Sequence, residues 1–299
     1  MNVFKLRTTL GVTVAAALSL FASTASAESL VAINTSNQIS VFDSSNTLGA
    51  VFNQIIGAAA GKTFIGIDLR PSNNTVYGIT TSNEIYTLDA YTGNSSFVAA
   101  LSSNIINGNF GYGLDFNPIA DRGTGASLRL VSSNGDNYAV NVNTGASAGA
   151  VGVQGNIAKG YTGVSYTNSD ASTPTVAPTS TTLYYIDSTN DTLSFADAPF
   201  NTPTINTIGA LNHDIVKANG FDVLSNGTAF SAFLMDGGTG KTILANINLS
   251  TGAAVKTGDF VGTINGLTIA PVPEPETYAM LIAGLGLIGA VTRRKNKKA

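Results

Sequence analysis

Three aspartates stand at the same place in a recurring phrase: Gly66-Ile-Asp68-Leu, Gly113-Leu-Asp115-Phe and Gly220-Phe-Asp222-Val. Paired carboxylates can serve as acid and base on a glycosidic bond, so Asp68, Asp115 and Asp222 form the main catalytic candidate of the chain. Two further copies, Gly163-Val-Ser165-Tyr and Gly266-Leu-Thr268-Ile, carry a hydroxyl in that position. Recurrence argues against catalysis, which needs distinct roles rather than copies. The competing expectation is that each side chain accepts backbone N–H bonds within its own repeat. An ion or sugar contact is a third use of the same groups.

Other chemistry is sparse. His213, the single histidine, lies beside Asp214, but no G-x-S-x-G turn accompanies it. With no cysteine and no second histidine, neither a thiolate nor a zinc set can be assembled, and no metal site is expected. Gly237-Gly-Thr-Gly-Lys-Thr242 contains the end of a phosphate loop, but Met235 stands where the first glycine belongs, so a hairpin turn is expected. The run Asp187-Ser-Thr-Asn-Asp191 could approach calcium but lacks the EF-hand pattern. Asp121-Arg122 reads as a local ion pair in a loop. Tyr77, Tyr86, Tyr112, Tyr161 and Tyr166 could stack on sugars, but packing between strands is the simpler use.

Those groups must be positioned by a repeat. The Gly-apolar-x-apolar phrase returns every 46 to 57 residues, starting at 66, 113, 163, 220 and 266. A second echo, a strand ending in Asp or Asn and often followed by Thr-Gly, falls at Asp43, Asp89, Asn141, Asp197 and Asn248. Each period holds about four alternating, β-branched and aromatic runs; in the second they are GIDL, TVYGITT, EIYTLDA and SSFVAAL. Four strands per ~45–50 residues is propeller-blade spacing. The first period lacks its opening strand, which Gly266–Ala270 can supply. The expected fold is therefore all-β: a five-bladed β-propeller closed by the C-terminal strand pairing into the first blade. A β-sandwich or a solenoid is the alternative.

Charge marks the ends. Charged residues make up only 11% of the chain. Lys5 and Arg7 lie near the start and Arg293, Arg294, Lys295, Lys297 and Lys298 at the end, leaving an acidic body unsuited to nucleic acid. Residues 1–27 read as a signal peptide for the Sec machinery: a basic n-region, the apolar run Leu10–Phe21, and Ala25-Ser-Ala27 before a mature start at Glu28. A buried first helix is the less economical reading. Residues 28–270 would form the propeller. Residues 271–299 would form a tail: Pro273-Glu274-Pro275, an apolar helix about 277–292, and a basic stop at Arg293, Arg294 and Lys295. Such a helix spans ~24 Å, short of the ~30 Å hydrocarbon core, and its basic end should stay cytoplasmic. It would act as a transient inner-membrane anchor; an ordinary uncut anchor is the alternative.

This tail resembles the PEP-CTERM sorting signal of Gram-negative bacteria, over about the last tenth of the chain. The resemblance implies processing near the motif by an exosortase, an integral-membrane cysteine transpeptidase, and a link to exopolysaccharide and biofilm. The body resembles a bacterial family catalogued as domain of unknown function 4394, through GIDLRPSNNTVYGI, YTLDAYTG, GYGLDFNPIADR, LRLVSSNGDN and TTLYYIDSTNDTL. That family implies no activity. The expected protein is an exported surface, outer-membrane or matrix component without catalysis or cofactor, with exopolysaccharide as the expected partner. The alternative is a carbohydrate-active enzyme, glycosidase-like, using Asp68, Asp115 and Asp222 as acids that line the central channel.

Overall fold

The computed structural model describes residues 27–123, 127–148, 157–169 and 176–271. The expected signal peptide up to Ser26, Ala25 included, lies outside the described residues. So do Pro273-Glu274-Pro275, the helix expected over 277–292 and the basic stop. Among the described residues no helix is long and apolar enough to cross a membrane.

Five sheets, antiparallel apart from one short added strand, form the body. The second blade holds β5 (Phe64–Arg70), β6 (Thr75–Thr80), β7 (Glu84–Leu88) and β8 (Asn94–Ala100), counted outward from the axis. The third holds β9 (Tyr112–Phe116), β10 (Leu128–Ser132), β11 (Asn137–Val140) and β12 (Ser147–Ala148). The fourth holds β13 (Tyr161–Tyr166), β14 (Leu183–Asp187), β15 (Thr192–Ala196) and β16 (Asn206–Ala210). The fifth holds β17 (Ile215–Val223), β18 (Ala229–Met235), β19 (Thr242–Ile247) and β20 (Ala254–Asp259). The first blade is composite. Its β1 (Ser29–Asn34), β2 (Gln38–Asp43) and β3 (Asn53–Gln54) come from one end of the described chain, and its inner strand β21 (Ile264–Ile269) from the other. β21 runs antiparallel to β1, with Leu30 opposite Ile269 and Ala32 opposite Leu267. The expected five-bladed propeller with ring closure is the observed architecture.

Two details differ from expectation. The run GAVFNQI yields only the two-residue β3, because a 3-10 turn at Thr47–Gly49, capped by the Asn46 side chain, occupies the approach to it. The chain then lays β4 (Ile56–Gly57) parallel to β8, giving the second blade a fifth, outermost strand. A parallel addition covers that edge, which would otherwise offer unpaired backbone groups to another chain.

Most inner and middle strands are buried at nearly every position, hence on both faces, as stacked blades require. The core is accordingly divided into five clusters, each between consecutive blades. Val31, Ile33 and Ile39 of the first blade meet Phe64, Ile67 and Val76 of the second, and Leu30 and Phe42 meet Phe230 and Leu244 of the fifth. The Thr-Gly echo closes the turn from the third strand to the fourth. Asp89, Asn141 and Asn248 each accept following N–H groups on a side-chain oxygen, and Gly93, Gly145 and Gly252 take positive φ.

The inner glycines have a different reason. A Cβ on Gly113 would stand 2.8 Å from the Gly163 Cα and the Val164 nitrogen, and one on Gly220 would stand 2.2 Å from the Leu267 nitrogen. In both cases the obstacle is backbone of the next blade. Glycine therefore lets inner strands converge at the axis. Gly113→Ala is expected to destabilise the protein by about 1–3 kcal/mol, because an overpacked backbone contact has no flexible neighbour to yield. Chemical denaturation read by far-ultraviolet circular dichroism checks this; an unchanged midpoint would refute the close-approach account.

Candidate functional site

The recurring polar position lies two residues after each of these glycines. Strand side chains alternate with period two, so the polar group faces the same neighbour as the glycine. That neighbour is the next blade. Asp68 Oδ2 accepts the Phe116 N–H at 2.7 Å, Asp115 Oδ1 the Tyr166 N–H at 2.9 Å, and Ser165 Oγ the Val223 N–H at 2.9 Å. Asp222 Oδ2 accepts the Ile269 N–H at 2.8 Å, and Thr268 Oγ1 the Leu69 N–H at 2.9 Å. The circuit is closed: each inner strand is tied to the following one, and the last to the first. The expectation that these groups bond within their own repeat is therefore corrected. A bond inside a blade would duplicate ladder bonds already made, whereas inner strands of different blades have no ladder between them.

The side chains also meet one another. Asp68, Asp115 and Asp222 are 4%, 1% and 2% exposed, so the expectation that they line an accessible channel is corrected too. Ser165 donates to Asp115 at 3.1 Å. Thr268 Oγ1 lies 2.9 Å from Asp68 Oδ1 and 2.8 Å from Asp222 Oδ2. A hydroxyl has one proton to give, so both contacts are hydrogen bonds only when one carboxyl carries a proton itself. Electrostatics point the same way. Burial, then the Asp222 charge, pushes the Asp68 carboxyl well above the usual range. Burial, then Asp68 and Asp222, does the same to Asp115. Burial raises Asp222 against the opposing bonds from Ile269 and Thr268. The three form one proton-sharing group.

Each carboxylate offers an oxygen within 4.8 Å of the others. A calcium shell with oxygens at about 2.3–2.6 Å could span that spacing. The acceptor positions are already engaged by N–H and O–H groups, so a cation would compete with the inter-blade ring.

Residues 38–269 match the family described as Domain of unknown function (DUF4394). The chain belongs to the DUF4394 family. Residues 271–295 match the PEP-CTERM protein-sorting motif, which marks a substrate of exosortase-dependent export to the cell envelope or surface. Among solved structures, this DUF4394 chain is similar to one titled crystal structure of a nidogen/laminin complex, at 12% identity and a TM-score of 0.48, over 81% of this chain and 98% of that one. A search of curated proteins returned no match.

The DUF4394 propeller places the remaining candidates apart from its acid ring. Asp121 lies in the one-turn helix α1 (Pro118–Arg122), capped by Asn117, not in an irregular loop. Its carboxylate is held at 2.7 Å by Arg70 of the preceding blade, a partner from outside the local pairing expected with Arg122. Arg70 also reaches Tyr77 and Asn143, and lies over the Phe116 ring. Arg129 makes a matching clamp one blade on, to Tyr166, Asn137 and Asn201. The sequence reading missed both arginines, because the partners on other blades and loops, Asp121, Asn143, Tyr166 and Asn201, lie 37 to 73 positions away.

His213 is half-buried between β16 and β17, with its ring 6.1 Å from Phe233. The Gly237–Thr242 stretch is the β18–β19 turn with three glycines at positive φ, as the hairpin reading expects. The Asp187 carboxylate accepts from Thr189 and Asn190 within its own turn. Tyr77, Tyr86, Tyr112, Tyr161 and Tyr166 are buried between blades, which removes them as sugar platforms. A small cavity of about 130 Å³ opens on the opposite end of the inner strands, beside Lys217, Asn219, Asn265 and Tyr112.

Proposed function

We propose that this DUF4394 protein is an exported, non-catalytic module of the cell surface or extracellular matrix, and that its ligand is exopolysaccharide. In this reading residues 1–27 are removed on export, residues 28–270 work as the propeller, and the tail is a temporary anchor lost on processing.

The observation that carries the non-catalytic part is the closed inter-blade circuit. The acid set Asp68, Asp115 and Asp222 is buried, and every member accepts a backbone N–H from the next blade. A glycosidase needs one acid and one base, reachable by substrate and different in environment. Three equivalent staples do not offer that division of roles. The sorting motif supports the location, and the neutral polar surface suits a hydrated glycan matrix.

Purified mature protein incubated with exopolysaccharide from a biofilm-forming Gram-negative host should be retained in a pull-down, with no reducing ends released. No retention refutes the ligand. Release of reducing ends that is lost in Asp115→Asn refutes the non-catalytic role and revives the carbohydrate-active reading.

A further inference from the structure

The residue just before each inner glycine forms a second level of the axis, nearer the start of the strands than the acids. It is Ile65, Tyr112, Thr162, Asn219 or Asn265. Four of the five inner strands break register there: β5 at Ile65, β13 at Thr162, β17 at Asn219 and β21 at Asn265. Such a bulge re-aims a side chain out of the ladder. Three of these side chains again tie blade to blade. Thr162 Oγ1 accepts the Ala218 N–H at 2.9 Å, Asn219 Nδ2 donates to the Ile264 carbonyl at 2.7 Å, and Asn265 Nδ2 donates to the Phe64 carbonyl at 3.3 Å. This circuit runs from the fourth blade through the fifth and first to the second, and there it stops. Ile65 has no polar group to continue it, and the Tyr112 hydroxyl is engaged by the Asn107 backbone.

The cavity of about 130 Å³ opens where the circuit is broken, and the first, second, third and fifth blades all line it. Its polar groups lack protein partners. Lys217 is half-buried, and among the described residues it forms no ion pair or hydrogen bond, whereas Lys62, Lys241 and Lys256 each reach a carboxylate. Its stem crosses toward the third blade: a Cβ on Gly111 would stand 3.4 Å from Lys217 Cδ. Asn219 is only 8% exposed, and the bond from its Nδ2 fixes which way the amide faces. Its oxygen receives no donor from the described residues, and neither does that of Asn265. An acceptor so enclosed is costly to leave unmatched.

The three groups together describe a ligand. The ammonium calls for an anion, and the two amide oxygens call for hydroxyl donors. Phe110 and Tyr112 give an apolar wall for C–H groups. A neutral sugar would leave the lysine unmatched, and a simple carboxylate would leave the amides unmatched. A hydroxylated carboxylate meets all of them. The cavity has room for about four waters at ~30 Å³ each, which suits one end of a single sugar ring and not the interior of a chain. We propose that it binds a hexuronate, with Lys217 on the carboxylate and with Asn219 and Asn265 accepting from ring hydroxyls. This deepens the polysaccharide reading, on which it rests for the source of the sugar acid, a terminal or side-branch residue, but not for the site.

D-glucuronate is the probe. The chain has no tryptophan, so Phe110→Trp places a single indole in the wall. In full-length Phe110→Trp protein, glucuronate should change the indole emission saturably, and calorimetry on the unaltered chain should also show saturable binding. Lys217→Met keeps the stem and should weaken binding about tenfold or more, while Lys217→Arg should recover most of it. Circular dichroism checks that both variants are folded. Glucose and acetate should each bind far more weakly than glucuronate. No saturable binding by calorimetry overturns the proposal, and so does equal affinity in the wild type and Lys217→Met. A uronate-bearing polysaccharide tests the source. Its retention by the wild type and not by Lys217→Met supports a residue of the polymer as the ligand. Retention by both, without glucuronate binding, refutes this site and leaves the polysaccharide reading standing. Glucuronate binding without polymer retention does the reverse and leaves the free sugar acid as the ligand.

Discussion

Asp115→Ala is expected to lower the stability of the propeller by about 2–5 kcal/mol, while Asp115→Asn leaves it near or above the wild-type value at pH 8. Alanine strands two buried donors, the Tyr166 N–H and the Ser165 hydroxyl. Each orphaned buried group costs about 1–3 kcal/mol. Asparagine keeps an oxygen for Tyr166 and presents an amide to Ser165. The Ser165 hydroxyl is also in reach of Asp222 and can turn to it. Asparagine also removes one charge from a site where burial and two neighbouring acids disfavour charge.

The same cluster sets a pH dependence of defined sign. All three acids are raised in the folded state relative to an unfolded aspartate near about 3.9. Between those values the folded state holds more protons than the unfolded one, so stability falls as pH rises through the window. It is highest below the unfolded value and levels off above the raised folded values. Exposed acids act oppositely: Asp43, through its Ser45 bonds, and Asp259, through Lys256 and Lys241, are lowered and favour folding at higher pH. Water screens those contacts, so the buried set should dominate. Thermal midpoints from pH 4 to 9 should therefore slope downward, and Asp115→Asn should flatten the slope. Parallel curves for the two proteins would rule out shared protons at the axis.

Much of this was readable in advance, because a repeat reports its own period. The Gly-apolar-x-apolar phrase located every inner strand, and the missing opening strand in the first period required the last strand to return. The Thr-Gly echo marked turns whose chemistry is local. What could not be read was direction. Alternation puts Gly66 and Asp68 on the same side of β5, but which blade lies on that side is decided by stacking, not by the strand. Arg70 and Asp121 were equally opaque, being 51 positions apart on separate blades. The two-residue β4 is too short to carry any alternation.

The largest effect should come from the closing strand. A chain ending at Phe260, before β21, is expected to lose its cooperative fold, whereas one ending at Pro271, which keeps β21, should unfold within a few degrees of the full-length protein. Removing β21 strips β1 of a partner and exposes the edge of the first blade. It deletes Ile264 and Leu267, both buried between the first and fifth blades and worth about 1.5–3 kcal/mol each. It also deletes Thr268, leaving the Leu69 N–H without its acceptor and Asp68 and Asp222 without their shared hydroxyl. Gly220 loses the Leu267 backbone it was shaped to meet. Together these losses rival the roughly 5–15 kcal/mol that a domain has in total. The break is also not local, since an inner ring with one member missing leaves two blades facing a gap. Calorimetry of the two truncated chains decides it: a single sharp transition in the shorter chain, at the midpoint of the longer, would mean that β21 decorates the propeller and does not close it.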